Sequence, residues 1–194
     1  MKNRFLALAA ATLAFVGGTL HAQTSTWKID PAHSSVNFVI RHLGVSNVHG
    51  TINGAKGTVV LDEKDITKST VAATMDSSTV STNNDARDKH LKSPDFFDVA
   101  KYPELTFQST SLSKEGGKLL LKGNLTLAGV TKPVTLDVDG PSAPQTGMDK
   151  KTVVSGFSAS GTLKRSDFNF GQKFGSAILG DEVKFTIDVE IDKQ

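Results

Sequence analysis

The sequence predicts an all-β fold, a closed or nearly closed antiparallel barrel of about eight strands with one short helical insertion. Three observations lead there. Apolar residues recur with period two along most of the chain, while the 3.6-residue period of an amphipathic helix is nearly absent. About eight alternating stretches fit between turn residues, and eight strands close into a barrel just wide enough for side chains or one small ligand. One stretch, residues 84–98, breaks the alternation. A two-sheet sandwich is the alternative, because alternation does not show whether the first and last strands pair.

In chain order, Lys2 and Arg4 precede an apolar run from Phe5 to Val16, then Gly17-Gly18-Thr19 and a cleavage site after Ala22. That is the pattern of a secretory signal peptide. The run is shorter than the roughly 20 apolar residues a membrane span needs, so the expectation is a leader over 1–22 and one exported, unanchored domain over 23–194. The chain has no cysteine. It therefore has neither an acyl site for a lipoprotein anchor nor disulfides to support the fold, and the core must suffice.

The strands begin with Val36, Phe38 and Ile40, and continue with Ile52 to Leu61 and with Val71, Ala73 and Met75. Leu105 and Phe107 follow, then Leu119, Leu121, Leu125 and Leu127, then Val134, Leu136 and Val138, then Val153, Ser155, Phe157 and Ala159. The clearest stretch is the last, Val183 to Ile191, apolar at every odd position and polar at every even one. Such a strand has one buried and one wet face. Glu115-Gly116-Gly117 and Asp139-Gly140-Pro141 supply turns. Between Asn83 and Leu91, Asn and Asp offer N-caps for a short helix, and Pro94 opens a second turn carrying Phe96 and Phe97. Two adjacent aromatics cannot both face one side of a strand, so these two are read as plugs over one end of the barrel.

Composition and spacing exclude several functions. Without Lys2 and Arg4, the 22 basic residues become 20, equal to the 20 acidic ones, and no basic cluster of the kind nucleic-acid binders carry is present. His33, His42, His49 and His90 lack the i, i+2 or i, i+4 spacing of zinc ligands, so no metal site is expected. No nucleophile elbow, catalytic cysteine or phosphate-binding glycine loop appears. A membrane barrel would leave Lys184, Asp188 and Glu190 lining its interior, with several strands too polar to face lipid. Polar residues at the edges of the apolar pattern, His33, Ser34, His42, Arg87, Asp88, His90, Arg165 and Asp167, read either as a mouth for the head of an amphiphile or as ion pairs, Arg87 with Asp167 and Asp88 with Arg165, tying the helix to the rim.

At these residues the chain resembles the YceI-like family of secreted polyisoprenoid-binding proteins. The segments that carry the resemblance are Ile29-Asp30-Pro31-Ala32-His33-Ser34-Ser35, the run Arg87 to Asp98, Tyr102-Pro103-Glu104-Leu105-Thr106-Phe107, Gly129-Val130-Thr131-Lys132-Pro133-Val134 and Arg165-Ser166-Asp167-Phe168. Their order along the whole chain after the leader is what makes the match specific. The resemblance implies an elongated, lipocalin-like eight-stranded antiparallel barrel, a periplasmic location, no catalytic activity, no required cofactor, and a long-chain isoprenoid or similar amphiphile inside. One departure is Asn169, where the resemblance implies a glycine after Phe168.

The residues expected to line the ligand site are Phe38, Ile40, His42, Arg87, His90, Phe96, Phe97, Phe107, Leu125, Phe157, Ala159, Phe168 and Phe185. Tail length follows from magnitudes. At about 0.8 kcal/mol per buried methylene, a ten-carbon tail supplies roughly 8 kcal/mol against an association cost of about 4 to 15 kcal/mol, so a tail on the order of twenty carbons is needed. The competing reading is an enzyme acting on an isoprenoid, which requires His33, His90 and Asp88 to converge. A homodimer is compatible with either.

Overall fold

The computed structural model describes residues 24–194, so the expected leader over 1–22 lies outside the described residues. The chain runs through β1 (Thr24–Ile29), β2 (Ser35–His42), β3 (Ser46–Asn53), β4 (Lys56–Asp62), β5 (Thr70–Asp76), the helix α1 (Asp85–Leu91), β6 (Glu104–Glu115), β7 (Lys118–Leu127), β8 (Val130–Asp139), the short β9 (Gln145–Thr146), β10 (Val153–Lys164) and β11 (Leu179–Lys193). Every pairing is antiparallel, and the sheet closes because β11 pairs on both of its edges.

One edge of β11 follows β10 from Val154↔Asp192 to Lys164↔Glu182. Its other edge meets β2 from Leu179↔His42 to Asp188↔Ser35, then β1 from Ile29↔Ile191 to Trp27↔Lys193. The strands β1 and β2 thus lie end to end along one neighbour, and β3 and β4 continue that arrangement on the next position round the ring. Eight strand positions close the barrel, and two of them are interrupted strands. Thr24–Ile29 forms a strand that alternation does not predict, and the stretch Ile52 to Leu61, expected as one strand, is divided between β3 and β4; the number of strand positions is the eight expected.

The interruption is built from backbone bonds that the alternation does not encode. The Glu190 backbone donates to Ser34 Oγ (3.1 Å) and accepts from Asp30 N–H (2.9 Å), and Gly54 N–H donates to the Ser34 carbonyl (3.2 Å). Gly54 has φ of +74°, a left-handed backbone that glycine adopts at no steric penalty. The strand can therefore bend without losing its partner.

Elsewhere alternation becomes wall as expected. On β11 Val183, Phe185, Ile187, Val189 and Ile191 face inward while Lys184, Thr186 and Asp188 face solvent. A bulge between Ser109 and Ser111 shifts the phase of β6, so Leu112 also turns inward. The turn Glu115–Lys118 is tight because Gly116 and Gly117 both take positive φ. Between β8 and β10 the ladder has only three pairs, ending at Ser160↔Asp137. Continued in that register it would set Pro133, which has no N–H to donate, against Lys164.

Two packed regions flank the lumen. At one end, which we call the closed end, Trp27, Ile29, Ala55, Val59, Val189 and Ile191 form a strand-borne core. At the other, Ile52, Val80, Phe96, Phe97, Leu127 and Phe168 pack beneath α1 and the segment joining β10 to β11. The helix itself is capped by Asn84, whose side chain accepts from Arg87 N–H, with Asp85 and Asp88 in its first turn and Lys89 in its last, where each charge suits the helix dipole.

Candidate functional site

Inside the barrel lies a cavity of about 430 Å³, within the size range of small-molecule sites. Every strand position contributes apolar side chains to it, among them Val36, Phe38 and Ile40 from β2, Ala73 and Met75 from β5, Leu125 from β7, Phe157 and Ala159 from β10, and Phe185 and Ile187 from β11. The polar exceptions are His42, Thr82, Arg87, His90, Thr106 and Arg165. His42, Thr82, Arg87, His90 and Arg165 stand at the helix end.

Three phenylalanines could fill such a lumen, and glycines keep them against the wall. A Cβ at Gly50 would meet the Phe38 ring at 2.3 Å, one at Gly123 the Phe107 ring at 2.4 Å, and one at Gly161 the Phe185 ring at 2.7 Å. Phe38 and Phe185 sit directly opposite Gly50 and Gly161 in the ladders, so each ring lies down on its neighbour's bare backbone. The space along the axis is left free.

The mouth is aromatic. Phe96 stacks on Phe174 (centroids 5.6 Å apart) and meets His90 and Phe170 edge-on, while Phe97 meets Phe170 at 4.7 Å. These rings come from two loops, and Asp95 joins the loops: its carboxylate accepts from His90 (3.1 Å) and Lys173 (2.5 Å), and its carbonyl accepts from Gly171 N–H (3.0 Å). Hydrogen bonds from Lys173 and then His90 hold the Asp95 carboxyl below its ordinary pKa.

Arg165 organises the second loop. Buried, it donates from Nε to the Gly180 carbonyl, from Nη1 to those of Phe170 and Gly171, and from Nη2 to those of Phe174 and Leu179. A guanidinium carries five N–H groups in a fixed fork, and here they meet three carbonyls of the loop between β10 and β11, which has no ladder of its own, and two at the start of β11. Asn169 takes a left-handed conformation (φ +56°) at the end of the turn Arg165–Phe168. Asparagine is among the few side chains that tolerate it, which accounts for an Asn at a position where glycine was expected.

Of the residues expected from sequence, Phe38, Ile40, His42, Arg87, His90, Phe96, Phe97, Phe107, Leu125, Phe157, Ala159 and Phe185 all border the cavity. Phe168 does not: it is fully buried in the packing beneath the cap. The ion pairs proposed between helix and rim are also absent among the described residues. Arg87 donates from Nε and Nη2 to the Thr82 hydroxyl and carbonyl (2.7 and 3.0 Å), not to Asp167. Asp88 accepts from Thr82 and Ser81 rather than from Arg165; burial raises its pKa, and the Thr82 and Ser81 bonds together with the Arg87 charge outweigh that effect and lower it.

His33 and Ser34 lie at the interruption between β1 and β2, away from the mouth. The His33 ring bonds Asp30 (2.5 Å) and lies 3.6 Å from Glu190, so its pKa is raised, first by the Asp30 bond and then by the Glu190 charge. Ligand atoms of Asp30, His33 and Glu190 fall within 4.8 Å of one another, a grouping the spacing of the histidines did not suggest. It is open to solvent, and ion pairing accounts for it. Lining residues that the sequence reading did not name include Thr82, Phe170, Phe174 and Ile178. All four stand outside the strands, where period-two alternation carries no signal.

A family model described as the YceI-like domain matches residues 27–191. Protein YceI of Salmonella arizonae is 42% identical over 192 residues, covering 98% of this chain and 97% of that protein. The crystal structure of the Campylobacter jejuni YCEI protein is 33% identical and covers 79% of this chain and 90% of its own, with a TM-score of 0.69. A polyisoprenoid binding domain from Saccharophagus degradans shares the fold at 16% identity, covering 89% of this chain and all of its own, with a TM-score of 0.62.

Proposed function

The chain belongs to the YceI-like family, and we propose that it holds one long-chain lipid, a polyisoprenoid or a similar amphiphile, in its barrel for transport or storage in the periplasm, after removal of residues 1–22. The observation that carries this is the unfilled lumen. A cavity of about 430 Å³ is walled by apolar side chains along the barrel and has its ionisable groups gathered at one end, which matches a tail with a polar head. The polyisoprenoid-binding neighbour from Saccharophagus degradans supports the same class of ligand. No cofactor is needed for such a role.

Binding is favoured over catalysis by where the candidate groups sit. His33 partners Asp30 and Glu190, His90 partners Asp95, and Asp88 partners Thr82, so each is engaged in a separate local arrangement. In the binding reading, Arg87 and His90 receive the head group. Arg87 spends Nε and Nη2 on Thr82 and keeps Nη1 for an incoming oxygen.

The decisive experiment is native mass spectrometry of protein exported by its own host, followed by organic extraction. A retained species with a tail of about twenty carbons or more is expected; protein that carries no lipid and takes up none when offered would end the proposal. A second measurement addresses the head. Charge-assisted bonds contribute about 1.5 to 3 kcal/mol each, so Arg87→Met should weaken a polar-headed lipid by roughly ten- to a hundredfold while barely affecting a headless hydrocarbon of equal length. Equal loss for both ligands would remove Arg87 from the site.

A further inference from the structure

The five large apolar side chains most exposed among the described residues are Leu43, Val45, Met148, Val153 and Ile178. Three of them share one place. Leu43 and Val45 form the turn between β2 and β3, the Leu43 N–H donates to the Ile178 carbonyl (2.8 Å), and Ile178 borders the cavity. Exposures of 55%, 77% and 48% for Leu43, Val45 and Ile178 leave this rim apolar on its outer side as well as its inner one.

Leu43 is also in an unfavourable backbone. Its φ is +51°, the left-handed region that glycine and asparagine tolerate and a branched aliphatic side chain resists, and Gly44 after it takes +65°. The fold gains nothing visible from this choice: the side chain is neither packed in the core nor conformationally relaxed, and asparagine would satisfy the turn. A residue that breaks two local rules at once points to a role outside folding. Directly below the tip, exposed Arg41 donates to the Gly44 carbonyl and to Asn47 Oδ1, which sets a cation one row behind the apolar residues.

We infer that Leu43, Val45 and Ile178 form a docking edge that seats the cavity mouth on the surface of a lipid bilayer. Apolar tips enter the acyl boundary and Arg41 lies at the level of the phosphates, the arrangement expected of an interfacial anchor. The occupant is a bilayer because the edge is continuous with the mouth. A tail leaving the cavity past Ile178 then moves from one apolar surface to another without crossing water. The inference rests on the lipid-binding reading above and adds where the lipid enters and leaves.

The test uses the chain from Gln23 onward, which contains the entire described fold, and vesicles of phosphatidylcholine with a minor fraction of phosphatidylglycerol. The protein should cosediment with the vesicles, and Leu43→Asn and Val45→Glu should each reduce partitioning by about tenfold or more. Neither side chain borders the cavity, so uptake of a detergent-dispersed lipid in solution should be unchanged. Leu43→Asn should also raise the melting temperature, because it relieves the left-handed leucine; a loss of vesicle binding in a more stable protein is not a folding defect. Wild-type protein that fails to partition, or variants that partition like wild type, would overturn the inference. So would a finding that these variants abolish self-association while vesicles are never bound, since the edge would then belong to a second copy of the chain. If vesicle binding behaves as expected but no lipid enters the barrel, the docking edge stands and the lipid-binding function falls.

Discussion

The two ends of the barrel are apolar in different ways. At the closed end Trp27, Ile29, Val59 and Ile191 project from strands whose ladders fix every Cα, and the Trp27 indole N–H is satisfied by Ser25 Oγ at 2.8 Å. At the helix end Phe96, Phe97, Phe170 and Phe174 come from loops, held by one buried arginine and one carboxylate. Side chains placed by ladders can move only if the sheet opens. Side chains placed by loops can move when a few bonds give way, so the first end stabilises the barrel and the second controls access to its interior.

The largest expected effect breaks the closed end. Ile191 is 0% exposed, and Ile191→Ala should cost about 2 to 5 kcal/mol in denaturant unfolding, with little influence on which ligand is accepted. Phe174→Ala should cost clearly less and should speed ligand exchange. If the two substitutions destabilise equally, the ends do not divide stability from access.

Next in size is the loop's own anchor. Arg165→Met leaves five backbone carbonyls short of a donor, and with bonds to charged groups contributing about 1.5 to 3 kcal/mol each, a loss of several kcal/mol is expected where the carbonyls stay buried. Where the loop instead opens to water, stability falls less and amides of residues 166–178 lose their exchange protection while those of β10 and β11 keep it. Uniform loss of protection across the sheet would mean that Arg165 supports the barrel rather than the loop.

A smaller effect is expected from the lumen between the two ends. A methyl group at Gly50 would meet the Phe38 ring first, at 2.3 Å, so Gly50→Ala should tilt that ring into the channel and cost about 1 to 3 kcal/mol. The accepted tail should become shorter. An unchanged chain-length preference in a folded variant would show that the lumen near Phe38 is not part of the tail's path.

This contrast also explains what the sequence could disclose. The walls were legible because each strand buries one face, and a two-residue period survives in any single sequence; Phe38, Phe107, Phe157 and Phe185 were found this way. The strand Thr24–Ile29 escaped because Trp27 and Ile29 are its only large inward residues, and they precede an interruption rather than a turn. The loops were legible only in part. Phe96 and Phe97 stood out as a pair that no strand could hold, whereas Phe170, Phe174 and Ile178 are placed by the carbonyls that Arg165 gathers from up to fifteen residues away. An arginine's acceptors are set by three-dimensional proximity, so Arg165 read as one more polar residue at the rim, and Arg87 was offered Asp167 when Thr82, five residues back, was the nearer partner.

The smallest expected effect concerns the carboxylate that joins the two loops. Asp95 has its pKa lowered from the ordinary 3.8, by the Lys173 bond first and the His90 bond second. A carboxyl whose folded pKa lies below its unfolded one contributes stability above the unfolded value and loses it as pH falls through the folded value. The link between α1 and the loop should therefore be intact at neutral pH and weaken in the acid range below 3.8. Its partners are largely open to solvent, so the effect belongs with exposed ion pairs, and Asp95→Asn should speed ligand exchange at neutral pH by only about two- to fivefold. The variant should also lack the acid-induced acceleration expected of wild type, because asparagine has no proton to gain. Closed-end variants, which leave Asp95 untouched, should keep it. Acceleration of equal size in Asp95→Asn and wild type would mean that acid loosens the sheet itself, and the loop-borne end would then have no separate control over the mouth.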